Sequence, residues 1–166
     1  MVGVRVFTST IRPRVLARHL KSADVVIGAI RSTGGRTPCV VTEEMVADMK
    51  AGSVIVDVSI DQGGCFETSR VTTHNDPVFR KHGVTHYCVP NIASRVARTA
   101  SIAFSNIFTP MLLRVGEEGG LDNLIRQDEK IRNGVYIYNG MLTNKYLGEA
   151  FKIPYKDLGL LLMTRH

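Results

Sequence analysis

Residues 53–59, SVIVDVS, form an almost unbroken apolar run rich in β-branched side chains, with one charge at Asp57. A run of this kind predicts a strand buried on both faces of a parallel sheet. Residues 23–30 (ADVVIGAI) repeat the pattern after Asp24, and residues 85–89 (THYCV) supply a third strand. Segments of helical character separate them. Pro13 stands at a first helical position and opens a helix to about residue 22. Thr42 is placed to cap a second helix, with Glu43 and Glu44 in its first turn, Lys50 further along, and Gly52 to stop it. Strand, crossover helix, strand is the signature of a parallel α/β sheet. Residues 5–8 are a further short strand candidate, and the loop 31–38 holds Gly34 and Gly35.

The pattern changes after Asn91. Residues 93–114 predict one long helix rich in small side chains, with Val96, Ala100, Ala103, Ile107 and Met111 as its buried stripe. Pro110 is expected to kink or divide that helix near Asn106, and residues 117–120 to end it. A short polar helix follows over residues 121–131. In residues 135–143 (VYIYNGMLT), Asn139-Gly140 lies between two apolar runs and predicts a β-hairpin.

Composition narrows the class of protein. Of 166 residues, 44% are apolar and 22% charged, an ordinary globular balance rather than a disordered one. No stretch approaches the ~20 apolar residues of a membrane-spanning helix, and the first ten residues lack the apolar region of a secretory signal, so no membrane association is expected. The net charge of +6 is uneven, because Arg5, Arg12, Arg14, Arg18, Lys21, Arg31 and Arg36 face one acid, Asp24, within residues 1–36. These bases form no compact block interleaved with aromatics, so a solvated helix face and a loop near an anionic cofactor are preferred to nucleic-acid binding. Cys39, Cys65 and Cys88 make no CxxC pair and no disulfide framework, which fits a reducing cytoplasm.

Candidate chemistry gathers at the strand ends. In a parallel sheet, Gly28-Ala29-Ile30, Ser59-Ile60-Asp61 and Val89-Pro90-Asn91 face the same way and form a floor for an extended ligand such as a dinucleotide. Asp61, followed by Gln62, Gly63 and Gly64, is the leading candidate. Its carboxylate either caps the Gly-Gly turn or orients substrate and relays a proton beside a cofactor. The two glycines allow a close ligand approach or a positive φ. Asp57, inside its strand, is read as a structural hydrogen-bonding group. Asn91 either acts near the reacting centre or caps the long helix, with capping preferred. A zinc site from His86, Cys88 and Cys65 matches no recognised spacing, and the cysteines are read as buried apolar fillers, so no metal is expected. No G-x-G-x-x-G follows any strand.

The segments ADVVIGAI, GGRTPCVVTEEMV, MKAGSVIVDVSIDQGGCFETSR, THYCVPNIASRVARTAS and GVYIYNGMLTNKYLGEAF resemble the C-terminal half of NAD-dependent alanine dehydrogenases, over essentially the whole chain. DQGGCFETSR followed by VPNI is the specific part. The related pyridine nucleotide transhydrogenase subunits rank second. The resemblance implies an α/β fold, with the C-terminal part of a Rossmann-like, doubly wound NAD-binding domain over residues 1–97. Residues 98–166 would be a connecting helix and a small α+β part of the substrate domain. It implies that Asp61 is an active-site residue near the nicotinamide, working with a histidine of the other domain. It also implies NAD contacts at Ile30, Arg31, Val58, Ser59, Ile60, Asp61, Arg70, Val89, Pro90, Asn91 and Ile92, with Ser9 near the adenosine side. The reaction implied is reversible oxidative deamination of L-alanine to pyruvate and ammonia.

The family's substrate-binding arginine and lysine, its catalytic histidine, its glycine fingerprint and its ribose-binding acid have no counterpart in these residues. The sheet is therefore expected to be incomplete, with strand 23–30 offering an open edge. The chain is expected to be a C-terminal fragment, inactive alone, with the missing N-terminal half in trans, or a homo-oligomer (a hexamer in the family), as its partner. A subunit of a split enzyme and a non-catalytic assembly module using the open edge for β-augmentation are the alternatives.

Overall fold

The computed structural model describes residues 6–32 and 35–163. Arg5 and Gly34 lie outside these, and residues 6–8 of the predicted first strand are in no strand. The chain divides into two compact units, Met1–Ile92 and Ala93–His166.

The first unit is built on the predicted parallel sheet. Strands β1 (Val25–Gly28), β2 (Val54–Asp57) and β4 (Val84–Tyr87) run parallel, and β3 (Val78–Lys81) adds antiparallel to β4, in the order β1-β2-β4-β3. Each parallel strand is shorter than its apolar run. Strand β2 stops at Asp57 because that side chain caps the turn that follows. Strand β3 escapes the sequence reading. Its hairpin to β4 turns on His82 (φ 53°) and Gly83 (φ 75°), both left-handed as a two-residue type I′ turn requires. A His-Gly pair signals that turn more weakly than Asn-Gly.

Registered neighbours share a face. Val26, Gly28, Ile55, Asp57 and His86 point to one side, where Ile55 and Val84 join Leu20, Val41, Val46, Met49, Cys65 and Phe66 in the core. On the other side Val25 and Ile27 of edge strand β1 are 58% and 66% exposed. Among the described residues β1 pairs only with β2. Gly28 ends β1 against the core, where a Cβ would lie 2.4 Å from Cys65 Sγ and 2.5 Å from a Phe66 ring carbon.

Helix α1 (Pro13–Ser22) starts with Pro13 at its first turn, as predicted, and buries Leu20. Helix α2 (Glu43–Ala47) is capped by Thr42, whose side chain accepts from the Met45 N–H at 3.3 Å. It ends well before Gly52, since the Met49 N–H bonds the Val46 carbonyl and tightens the chain into a turn. His86 is fully buried, sharing a hydrogen bond with Thr68 Oγ1 (2.8 Å) and another with the Val84 carbonyl (3.1 Å).

In the second unit, α3 (Ala97–Glu117) follows a 3-10 turn at Ile92–Val96 and continues unbroken through Pro110. The predicted division near Asn106 does not occur. The predicted stripe is also corrected, because α3 has no buried residue, and Val96 and Ile107 are 59% and 67% exposed. Ile102, Phe104, Phe108, Leu112 and Leu113 are exposed as well. Within its own unit the helix is held near its C-terminal end, where Arg114 pairs with Asp128 at 2.9 Å. The polar helix expected over 121–131 is split at Asp128 into α4 (Leu121–Gln127) and α5 (Glu129–Arg132), since the Asp128 carboxylate accepts from the Lys130 N–H. The predicted hairpin forms as β5 (Ile137–Tyr138) and β6 (Met141–Leu142), with Asn139 and Gly140 at φ 50° and 76°. Helices α6 (Lys145–Phe151) and α7 (Leu158–Met163) complete the unit around Ile125, Tyr138, Leu158 and Leu162. No helix among the described residues is long and apolar enough to cross a membrane.

His86 yields a pH prediction. Burial depresses its pKa below the usual imidazole value, the nearby Lys81 and His82 charges add to this, and the Val84 carbonyl and Asp57 oppose it. The unfolded chain therefore binds a proton first, near pH ~6.5. Stability contributed by neutral His86 is present above that pH and lost as pH falls toward the lower folded value. The urea midpoint should drop between about pH 7.5 and pH 5.5, and His86→Gln should reduce that drop. An equal drop in both proteins would refute this.

Candidate functional site

The crevice at the carboxyl ends of β1 and β2 is lined by Ala29, Ile30 and Arg31 from one strand exit and Val58, Ser59, Asp61 and Gln62 from the other, and encloses about 310 Å³. Its shape follows from Asp57. The Oδ1 atom of that buried carboxylate accepts from the Ser59 N–H (3.0 Å), while Oδ2 accepts from the Cys65 N–H (3.0 Å) and the Ser69 hydroxyl (2.6 Å). Asp57 thus has the structural role expected of it. It turns the chain from strand into the 3-10 segment Val58–Gln62. Gly63 and Gly64, at φ 98° and 78°, close that segment by donating to the Ile60 and Ser59 carbonyls. A Cβ on Gly64 would stand 2.6 Å from Asp57 Oδ2. Of the two readings open for the Gly-Gly pair, positive φ is the one the backbone uses.

The strand exits are tied to one another. The Ser59 hydroxyl accepts from the Ile30 N–H and donates to the Ile30 carbonyl, both at 2.8 Å. Gln62 receives the Thr37 N–H on its carbonyl at 2.8 Å, and its side-chain oxygen lies 3.4 Å from the Ser32 nitrogen. Asp61 does not cap the Gly-Gly turn. Its Oδ1 accepts from the Asn91 N–H at 3.1 Å, reaching the exit of β4. Asn91 has a left-handed backbone, φ 53°. It does not cap the long helix, whose first-turn flank is Val96 with no side-chain cap.

Ile30, Arg31, Val58, Ser59 and Asp61 therefore share one crevice, with Asn91 bonded to its rim. Ile60 and Val89 are buried, Pro90 is half-buried, and Ile92 is exposed beside Asn91. Arg70 is placed elsewhere. Its guanidinium lies 4.3 Å over the Phe79 ring, and Phe79 stacks on His86 with centroids 4.7 Å apart. Ser9 lines a separate cavity beside α1 with Arg12 and His19. Gln62 is a crevice residue absent from the sequence-derived set, though its place beside Asp61 in the DQGG segment marked it. Among the described residues no group of three His, Cys, Asp or Glu side chains is gathered to hold a metal ion.

The sequence model of the alanine dehydrogenase/PNT C-terminal domain matches residues 1–145. The chain belongs to this family. Alanine dehydrogenase 2 of Staphylococcus aureus strains USA300 and NCTC 8325 is 40% identical over 159 residues, which is 95% of this chain and 42% of the relative. Among solved structures, an L-alanine dehydrogenase superposes with a TM-score of 0.73 at 33% identity, covering 85% of this chain and 38% of that one. A transhydrogenase from Sinorhizobium meliloti gives 0.61 at 26% identity, covering 81% and 36%. The chain thus spans about two-fifths of the length of the alanine dehydrogenases it matches. The family assignment agrees with the resemblance read from DQGGCFETSR and VPNI, and with an α/β fold of parallel strands and helices.

In this member of the alanine dehydrogenase/PNT family the buried thiols belong to the framework. Burial, assisted by the Asp57 charge, pushes the Cys65 pKa up to about 11, and burial also raises that of Cys88. Cys39 is exposed, which corrects its reading as a buried filler. A disulfide reagent near neutral pH should label Cys39 quickly and the other two only on unfolding; three fast thiols would contradict the fold around Asp57. Replacing Asp57 by Ala strands the Ser59 and Cys65 N–H groups and should cost about 3 kcal/mol or more in urea denaturation.

Proposed function

We propose that this chain supplies part of the NAD site of an alanine dehydrogenase, an oxidoreductase interconverting L-alanine and pyruvate with ammonia and a nicotinamide cofactor. The observation that carries the reading is the crevice at the ends of β1 and β2, with Asp61 at its rim in a chain of this family. Carboxyl ends of parallel strands are where open α/β sheets hold nucleotides. The crevice is at the lower end of the ~300–1,000 Å³ of ligand pockets, which suits one portion of a dinucleotide.

In this reading Ile30, Arg31 and the segment from Val58 to Asp61 hold the nicotinamide portion, with Asn91 and Ile92 beside it. Val89, Pro90 and Arg70, which the resemblance also names as cofactor contacts, lie outside this crevice. When bound, the cofactor supplies the hydride chemistry. Asp61 keeps one carboxylate oxygen for a substrate or for a proton in transit. The remainder of the site belongs to residues matching the rest of an alanine dehydrogenase. Three free cysteines suit a reducing compartment such as the cytoplasm. The likeness to a transhydrogenase keeps a second reading, in which the crevice holds a pyridine nucleotide without any role for alanine.

Two measurements decide. Adding NAD+ to the ¹⁵N-labelled chain should shift the amide signals of Ala29, Ile30, Arg31, Ser59, Asp61 and Gln62; unchanged signals at millimolar NAD+ would reject the cofactor site. The 166-residue polypeptide assayed by itself should reduce no NAD+ with L-alanine. Turnover should appear when it is mixed with the N-terminal region of the Staphylococcus aureus relative, and Asp61→Ala should abolish it. Turnover by the isolated chain would overturn the shared-site reading. NAD+ binding with no alanine-dependent turnover in the mixture would favour the transhydrogenase-like one.

A further inference from the structure

We propose that Asn91 is a positioning residue for Asp61, acting through its backbone N–H rather than its side chain. The inference rests on the reading of Asp61 as the acid of the cofactor site. After β4 the chain runs Cys88-Val89-Pro90-Asn91, and Pro90 has no N–H to offer. Asn91 supplies the donor beside Pro90: its N–H reaches Asp61 Oδ1 at 3.1 Å, and its φ of 53° carries the following chain away from that bond in a left-handed turn. Asn is among the few non-glycine residues that adopt this backbone readily, whereas β-branched residues are strongly disfavoured there.

Asp61 lies on the exposed rim, four residues beyond the end of β2, where a side chain without a partner samples several rotamers. The single bond from Asn91 selects among them. It occupies Oδ1, while Oδ2 carries no hydrogen bond to the described residues, so the carboxylate presents one oxygen to whatever enters the crevice. The same bond links the exits of β2 and β4, which are neighbouring parallel strands. The N–H that directly follows a proline is thus the group that orients the acid, and the left-handed backbone of Asn91 leads the chain past it.

Amide hydrogen exchange at residue 91, followed by NMR in the full chain, tests this. The wild-type amide should be protected. Asp61→Ala removes the acceptor and should speed exchange about tenfold or more, while Asp61→Asn keeps a carboxamide oxygen in place and should retain most of the protection. Asn91→Gly, which adopts positive φ freely, should keep the amide protected, and Asn91→Val should lose it. Unchanged exchange in Asp61→Ala, or a protected amide in a folded Asn91→Val, would overturn the proposal. The NAD+ titration separates this result from the functional reading. Protection without NAD+ binding would leave the bond standing and sink the site, while NAD+ binding with an unprotected amide would do the reverse.

Discussion

The first unit depends on one buried carboxylate. Asp57 stands at the last position of the central strand β2, and it accepts two backbone N–H groups and one hydroxyl from the chain that follows. A charged group is tolerated inside a core only when its lone pairs are used, and here those three donors converge on it with the Cys65 thiol, 3.7 Å from Oδ1, as a fourth. The bonds to Ser59 and Cys65 bend the strand exit into a 3-10 turn, and the bond to Ser69 draws in the segment leading toward β3. The floor of the crevice is the outcome of this turn. Gly63 and Gly64 serve it directly, since both adopt left-handed backbone and one of them leaves no room for a side chain beside Asp57.

Around that turn the site is assembled by short reciprocal bonds rather than by apolar packing. One hydroxyl, that of Ser59, satisfies both backbone groups of Ile30 and joins the exits of β1 and β2. One carboxylate, that of Asp61, takes the Asn91 N–H and joins the exits of β2 and β4. Each bond spans about thirty residues of sequence, so each contributes little until the parallel sheet has brought the strand ends together. The chemistry attributed to Asp61 is therefore inseparable from the sheet order that surrounds it.

The second unit shows the opposite balance. Its long helix carries Ile102, Phe104, Ile107, Phe108, Leu112 and Leu113, and all of them are exposed. Apolar side chains distributed around a helix do not define a single stripe, so periodicity alone picked one that is not buried. Pro110 likewise failed to break the helix: it removes one hydrogen bond, and the turns on either side hold without it. The hairpin at Asn139-Gly140 formed as predicted because its signal is local, two residues that accept positive φ between apolar flanks.

The same distinction separates what the sequence determined from what the tertiary structure decided. Apolar runs, the Pro13 and Thr42 helix starts and the Asn139-Gly140 turn are short-range signals, and with the DQGG and VPNI segments they sufficed for an α/β fold, its parallel strands and its family. The partner of Asp61 was not legible, because a carboxylate that caps its own turn and one that reaches a neighbouring strand look alike in sequence. Nor was the placement of Arg70 on Phe79, which requires the β3 hairpin hidden behind a His-Gly turn. Local propensity is written residue by residue, whereas a hydrogen bond between strand exits exists only after the register of the sheet has set which ends are neighbours.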